Sequence, residues 1–313
     1  MVGFLVKRLL ALIPIFLLAI LLTFIMVKMS PVDPAEAYFA ASNTHPTPQA
    51  LEEKRQEMGL NKPIFLQYVE TVKKVVQFDF GDSYMTKRPV IDEMRERLPV
   101  SFQLGLGSII LTFLISVPLG FYTALHKNGF VDYSTRFLAF IGASMPAFLV
   151  GYLLIIVFAV KLAILPLEGV GTWQHLILPM ITLALPFIVQ YTRMLRANML
   201  EHMHEPAVSF ARMRGLKERI IMVKYVLRLA IGPVITGLGI NLGTLMTGMV
   251  IVEVVFSIPG FGRYFIDAIF SRDMPVIQCY VLLSAVLYLV CNLIVDILQM
   301  YIDPRIVKKG GHL

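Results

Sequence analysis

Residues 205–220 read EPAVSFARMRGLKERI. The segment lies between two windows free of Asp, Glu, Lys and Arg, Gly169 to Thr192 and Leu229 to Val252, yet it carries Arg212, Arg214, Lys217 and Arg219. A negative charge at Glu205 favours a helix N-terminus, Pro206 suits the first helical position, and Gly215 suits the left-handed residue just past a helix end. These signals predict a helix of about two turns, too short to be stable alone in water. It must pack on something, and it offers Ala207, Val208, Phe210, Ala211 and Met213 beside its arginines. Two readings follow from physics: an amphipathic helix lying on anionic headgroups, or a docking helix for a protein partner. Composition alone does not separate them.

The flanking windows belong to a larger pattern. The chain of 313 residues is 57% hydrophobic and 16% charged, with a mean hydropathy of +0.73, outside the range of ordinary soluble domains. Crossing a hydrocarbon core of about 30 Å takes roughly 20 apolar residues in helix. Six uncharged windows meet that length: Leu9 to Val27, Leu98 to Leu125, Phe137 to Val160, Gly169 to Thr192, Leu229 to Val252 and Met274 to Val295. Continuous apolar runs favour helices over a closed barrel. The expected fold is therefore an all-α membrane protein with six transmembrane helices. The first window follows Lys7 and Arg8 and precedes Ala35-Glu36-Ala37, as a secretory signal would, but its length argues for a retained span. Pro118, Pro146, Pro179 and Pro186 lie within windows and predict kinks or breaks.

Basic residues in the short loops set the expected orientation. With the N-terminus cytoplasmic, fifteen Lys and Arg fall on that side, eight of them between Arg193 and Arg228, and only Lys161, Arg263 and Arg272 occupy the opposite short loops. Both termini and residues 205–220 are thus predicted cytoplasmic. The formal charge of +7 is a topology signal and gives no reason to expect nucleic acid as a partner.

The chain then divides into a tail and first span over 1–29, an extracytoplasmic helical insertion over 30–97, a core of five spans over 98–304 with a cytoplasmic loop at 193–228, and a tail over 305–313. The insertion holds eleven of the 21 acidic residues. In it, Thr47 and Pro48 open a helix that Gly59 stops, and IFLQYVETVKKVV forms a second with Phe65, Tyr68, Val69, Val72 and Val76 on one face. FDFGDSYMTKRP reads as turn and loop before a short helix entering the second span. In the fifth window Gly239, Gly243 and Gly248 allow close helix approach, within the chain or against a second subunit. Cys279 and Cys291 are twelve residues apart on one predicted helix, about 18 Å, too far for a disulfide.

The motifs together resemble permease subunits of ATP-binding-cassette importers, in the dipeptide, oligopeptide and nickel family. The likeness is carried in order by KRLLALIPIFLLAILLTF, GLNKPIFLQY, FGDSY, RPVIDEMRERLP, the Ala211-Arg212 and Arg214-Gly215-Leu216 elements, VEVVFSIPGFGRYFIDAIFSRDMPVIQ at 252–278 and DPR at 303–305. Val32 in SPVDP and Pro206-Ala207 depart from the usual pattern. The resemblance implies that residues 206–216 form a coupling helix entering a groove on an ATPase, with Glu205, Phe210, Ala211, Arg212, Arg214, Gly215 and Leu216 as the coupling residues. It also implies a second homologous permease, two cytoplasmic ATP-binding subunits and an extracytoplasmic solute-binding protein as partners. The expected location is a bacterial or archaeal cytoplasmic membrane, in contact with its lipid. The chain has no GxxxxGK[ST] loop and is not expected to be an enzyme itself or to carry a cofactor.

Polar residues in spans are costly and need an explanation. Glu253, Asn292 and Asp296 are either structural caps and pairs or pathway and gating residues, and Met246 and Met249 offer soft ligands or plain packing. His202-Met203-His204 is no metal site, since residues two apart on a helix diverge. SNTHPTPQALEEKRQEMGLNKP, TWQHLILP and Phe210 look most like the nickel branch, which makes a nickel chelate the preferred solute and dipeptides or oligopeptides the alternative. A secondary transporter or channel would need its own coupling-ion site, and an intramembrane enzyme would need motifs such as HExxH or GxSG. The chain has neither motif.

Overall fold

The computed structural model describes residues 2–41 and 44–302. The DPR motif at 303–305 and the terminal tail lie outside them. The described residues form helices α1 (Val2–Met29), α2 (Pro34–Ala41), α3 (Pro48–Glu57), α4 (Ile64–Val76), α5 (Val90–Leu125), α6 (Phe130–Ser144), α7 (Ala147–Leu154), α8 (Gln174–His202), α9 (Pro206–Met213), α10 (Glu218–Ile221), α11 (Arg228–Ala230), α12 (Gly232–Ile240), α13 (Leu242–Val255), α14 (Phe261–Ser271) and α15 (Met274–Ile302). Five are long and apolar enough to cross a membrane: Leu12–Met29, Val90–Leu125, Gln174–His202, Glu218–Ile240 and Met274–Val295. A sixth span results if the bent pair Phe130–Gly142 and Ala147–Lys161 is counted as one. The chain divides into two compact units, Met1–Ser101 with Pro259–Leu293, and Phe102–Ile258 with Ile294–Leu313.

In the first unit, α1 and α4 pack through Ile20, Val75, Phe16, Tyr68 and Val72. Thr47 caps α3 as expected, its hydroxyl accepting from the Ala50 N–H at 3.3 Å. Gly59, at φ +68°, follows the helix end. α4 covers the predicted residues, but its inward stripe is Tyr68, Val72 and Val75, whereas Phe65, Val69 and Val76 are exposed. The expected face is therefore rotated: Val75, not Val76, continues the 68–72 row. The lead-in to the second span is also not a separate short helix. α5 runs unbroken for 36 residues, about 54 Å, well beyond a hydrocarbon core.

Several segments that carry the family resemblance meet in this unit. The Ser83 hydroxyl donates to Asp273 at 2.6 Å and the Met85 N–H donates to the same oxygen at 3.3 Å. The Phe261 N–H donates to Ser101 at 2.8 Å, and the Arg97 guanidinium stacks 4.1 Å from the Tyr264 ring centre. FGDSY, the start of α5, the α14 region and SRDMP are thus one polar assembly. Burial, and secondarily the carboxylate of Glu93, pushes the Tyr264 phenol well above its ordinary pKa.

The second unit contains the breaks. Pro146 interrupts the third window, and the helices on either side meet at 111°. Ile155–Lys161 then continues α7 as a π-helical segment. The helix passes through Pro118, Pro179 and Pro186 without interruption. The fifth window lies within a longer helical run that begins at Glu218, includes a π-helical stretch at Met222–Leu227, and is interrupted at the single residue Asn241, where the backbone stays near-helical (φ −75°, ψ −2°) before α13 starts at Leu242. Gly239 packs within the chain, since a Cβ there would lie 2.4 Å from a methyl of Val295.

Gly239→Ala is accordingly expected to destabilise the protein by about 1–3 kcal/mol, as overpacking does. Thermal unfolding in detergent would measure it. Adding Val295→Ala should restore most of the loss.

Candidate functional site

The short basic helix forms where the sequence places it. α9 spans Pro206–Met213 with Pro206 at its first turn and Glu205, in extended conformation, at its N-cap. Its C-terminus is a Schellman motif. Gly215 sits at φ +74°, its N–H donates to the Arg212 carbonyl at 2.9 Å, and the Leu216 N–H reaches back to the Ala211 carbonyl at 3.3 Å. A side chain at Gly215 would meet no atom within 4 Å, so the requirement for glycine comes from the backbone alone.

One face of α9 is seated. Val208 and Ala211 are buried in a cluster with Tyr191, Leu195 and Met199 of α8 and with Ile221, Met222 and Val226, and Leu216 packs against its edge. The opposite face is open: Phe210 is 62% and Met213 72% exposed. The Arg212 guanidinium grips Glu218 with two N–H groups at 2.7 and 3.3 Å, which raises its pKa further and closes the turn onto α10. Arg214 is exposed at the C-terminal end of the helix, next to Gly215. Six of the seven expected coupling residues lie on α9 or its C-terminal motif, and Glu205 is its cap. They separate into an inner group, Ala211 and Leu216, a clasp, Arg212, and an exposed group of Phe210 and Arg214.

The cluster under α9 reaches further. Tyr191 contacts Gly237, where a Cβ would stand 2.9 Å from its ring, and its hydroxyl accepts from the Asn241 amide at 2.6 Å. Asn241 marks the break between α12 and α13, so the seat of α9 and the break in the fifth window share one side chain. A second node lies at the start of α6. Asp132 is fully buried and holds both Arg136, one turn on, and Arg196 of α8, whose Nε lies 2.7 Å away. In the sequence alone Arg136 and Arg196 count only as cytoplasmic topology charges. The i,i+4 spacing of Asp132 and Arg136 was the available signal, but the partner 64 residues away was not.

Of the pathway candidates, the described side chains are those of Met249, Glu253 and Asn292. Met249 is buried, and its methyl group would lie 2.7 Å from a Cβ at Gly105. Glu253 is buried in the same unit, at the end of α13. Asn292 is half-buried on α15. The side chains of Met246 and Asp296 lie outside the described residues. Among the described residues, no group of three His, Cys, Asp or Glu is arranged to hold a metal ion.

Among the described residues, five or six apolar helical segments long enough to cross a membrane, with a short clasped helix between two of them in the chain, define an integral membrane subunit. Residues 116–308 match the family described as "Binding-protein-dependent transport system inner membrane component", and residues 1–105 match its N-terminal family; the chain belongs to this family of importer permeases. It is 36% identical over 309 residues to the glutathione transport system permease protein GsiC of Escherichia coli (strain K12), covering 99% of this chain and 100% of that protein. The protein of the same name from Pectobacterium atrosepticum is 37% identical over the same extent. Among solved structures, "Inward facing conformations of the MetNI methionine ABC transporter: CY5 native crystal form" shares the fold, with a TM-score of 0.57 at 15% identity, covering 68% of this chain and 97% of that one. The chain is thus an inner-membrane permease subunit of an ATP-binding-cassette importer, with ATP hydrolysis carried by partner subunits.

Because only the backbone demands glycine at position 215, Gly215→Val is expected to loosen the end of α9. A left-handed conformation costs a side-chain-bearing residue about 1–2 kcal/mol, so amide exchange at residues 215 and 216 should quicken roughly ten-fold by hydrogen–deuterium exchange. Gly215→Asn should change it little.

Proposed function

We propose that this permease carries small peptides of the glutathione class and that α9 is the helix through which ATPase closure moves its spans. The observation that carries the coupling assignment is the division of α9 into a seated face and an open one. Val208 and Ala211 bind it to the cluster around Tyr191, and Phe210 and Met213 remain exposed between basic residues. Apolar anchors rimmed by charge suit a groove on a protein partner. A helix tied to its own bundle by Tyr191 and clasped by Arg212–Glu218 moves with that bundle when pushed.

For the solute, the glutathione permeases support the peptide alternative over nickel. They align with this chain end to end at 36–37% identity, whereas the nickel reading rested on short segments and Phe210. In this reading both termini and α9 face the cytoplasm, the segment before α5 faces the binding protein, and a second permease completes the pathway. Met249 and Glu253, with Met246, Asn292 and Asp296, are the first positions to substitute when tracing that pathway.

Reconstitution of the chain with its partner permease, ATPases and binding protein tests this reading. ATP-dependent uptake of labelled glutathione or a dipeptide is expected, with radioactive nickel at background. Accumulation of nickel without peptide would reverse the solute assignment, and uptake in the absence of ATPase subunits would remove the coupling role of α9.

A further inference from the structure

Helices α6 and α8 of the second unit border a cavity of about 800 Å3 that the coupling role does not use. On α8 its lining runs through Pro186, Val189, Gln190, Arg193 and Arg196. Met194 and Ala197 line it as well, so over about 15 Å of helix the apolar stretch at Pro186 and Val189 gives way to one in which arginines stand among apolar side chains. Arg136 of α6 joins the basic end.

No carboxylate lines this cavity. The nearest acid on these two helices, Asp132, is buried and already saturated. It lies in ion-pair contact with Nε of Arg196 at 2.7 Å and accepts from that residue's Nη2 at 2.8 Å, from Nε of Arg136 at 3.2 Å and from its Nη2, and from the Asn128 N–H at 2.9 Å. One negative charge thus faces two guanidinium groups, and exposed Arg193 adds a third. The Asp132 contacts use Nε and Nη2 of each paired arginine and leave Nη1 outside them. The wall therefore has two uncompensated positive charges and spare planar donors of the geometry that binds phosphate oxygens.

We propose that this cavity binds an anionic phospholipid, its phosphate at Arg136, Arg193 and Arg196 and an acyl chain along Pro186 and Val189. Basic recesses between membrane helices recognise such headgroups, and the apolar end gives a chain a surface that a free anion does not need. The depth also fits. α8 has 29 residues, about 43 Å of helix against a hydrocarbon core of about 30 Å, so its final ten residues, beginning at Arg193, extend to the interface. A lipid seated there bridges α6 and α8 beside the Asp132 node.

Native mass spectrometry of the full chain, titrated with phosphatidylglycerol, phosphatidylcholine or inorganic phosphate, tests the proposal. One phosphatidylglycerol should be retained in preference to phosphatidylcholine, and millimolar phosphate should not displace it. Arg193→Gln should weaken retention about five-fold, the change that ~1 kcal/mol per basic residue at a membrane surface corresponds to, and Gln190→Glu should weaken it comparably. Arg219→Gln, on α10, should leave it unchanged. Equal retention of both lipids, unaltered binding in both cavity variants, or displacement by phosphate would overturn the assignment. So would efficient disulfide formation between two copies carrying Gln190→Cys in a bilayer, which would make the cavity a protein interface.

Discussion

A two-turn helix is not stable by its own hydrogen bonds, and the second unit is organised around meeting that constraint at α9. Gly215 closes the helix end by adopting a conformation other residues resist, and Arg212 holds the next turn through Glu218. Val208 and Ala211 then bury the inner face against α8 and the run after Glu218. Each device leaves the outer face free. The cluster also fixes Tyr191, and Tyr191 in turn bonds Asn241 at a helix break. Under the proposed coupling role, these contacts connect α9 to the junction of α12 and α13.

The two breaks have different origins. At Pro146 the missing N–H and the restricted preceding residue end α6, and the chain re-enters a helix at 111°. At Asn241 no proline intervenes. There Gly237 and Gly239, without side chains, lie close against Tyr191 and Val295, and the Asn241 side chain satisfies the tyrosine hydroxyl. π-helical segments at Ile155–Lys161 and Met222–Leu227 add further local departures from regular helix, which often mark functional positions.

What the sequence revealed followed from local rules. Gly215, Pro206, Thr47 and Gly59 act through a few neighbouring residues, and each end they predicted is present. The 64–76 helix was also legible, although its buried row turned out to be Tyr68, Val72 and Val75, because inward direction depends on where α1 packs. Uncharged windows located apolar segments but not their continuity: hydropathy sees Leu229 to Val252 as one run, whereas α12 and α13 are separate elements flanking Asn241, whose side chain bonds a tyrosine fifty residues earlier. Only half of the Asp132 node is legible in the sequence: Arg136 stands at i,i+4, but Arg196 reaches it from another helix. The nickel preference rests on short likenesses at 42–63, 172–179 and Phe210, which full-length similarity to glutathione permeases outweighs.

The central claim is that the open face of α9 meets a protein and not the lipid surface. A photo-crosslinking amino acid at position 210, with position 213 as a second probe, measures this directly in the reconstituted importer. The account predicts crosslinks from both positions to an ATP-binding subunit. Crosslinks confined to lipid, with the ATPases still bound and transport intact, would contradict it.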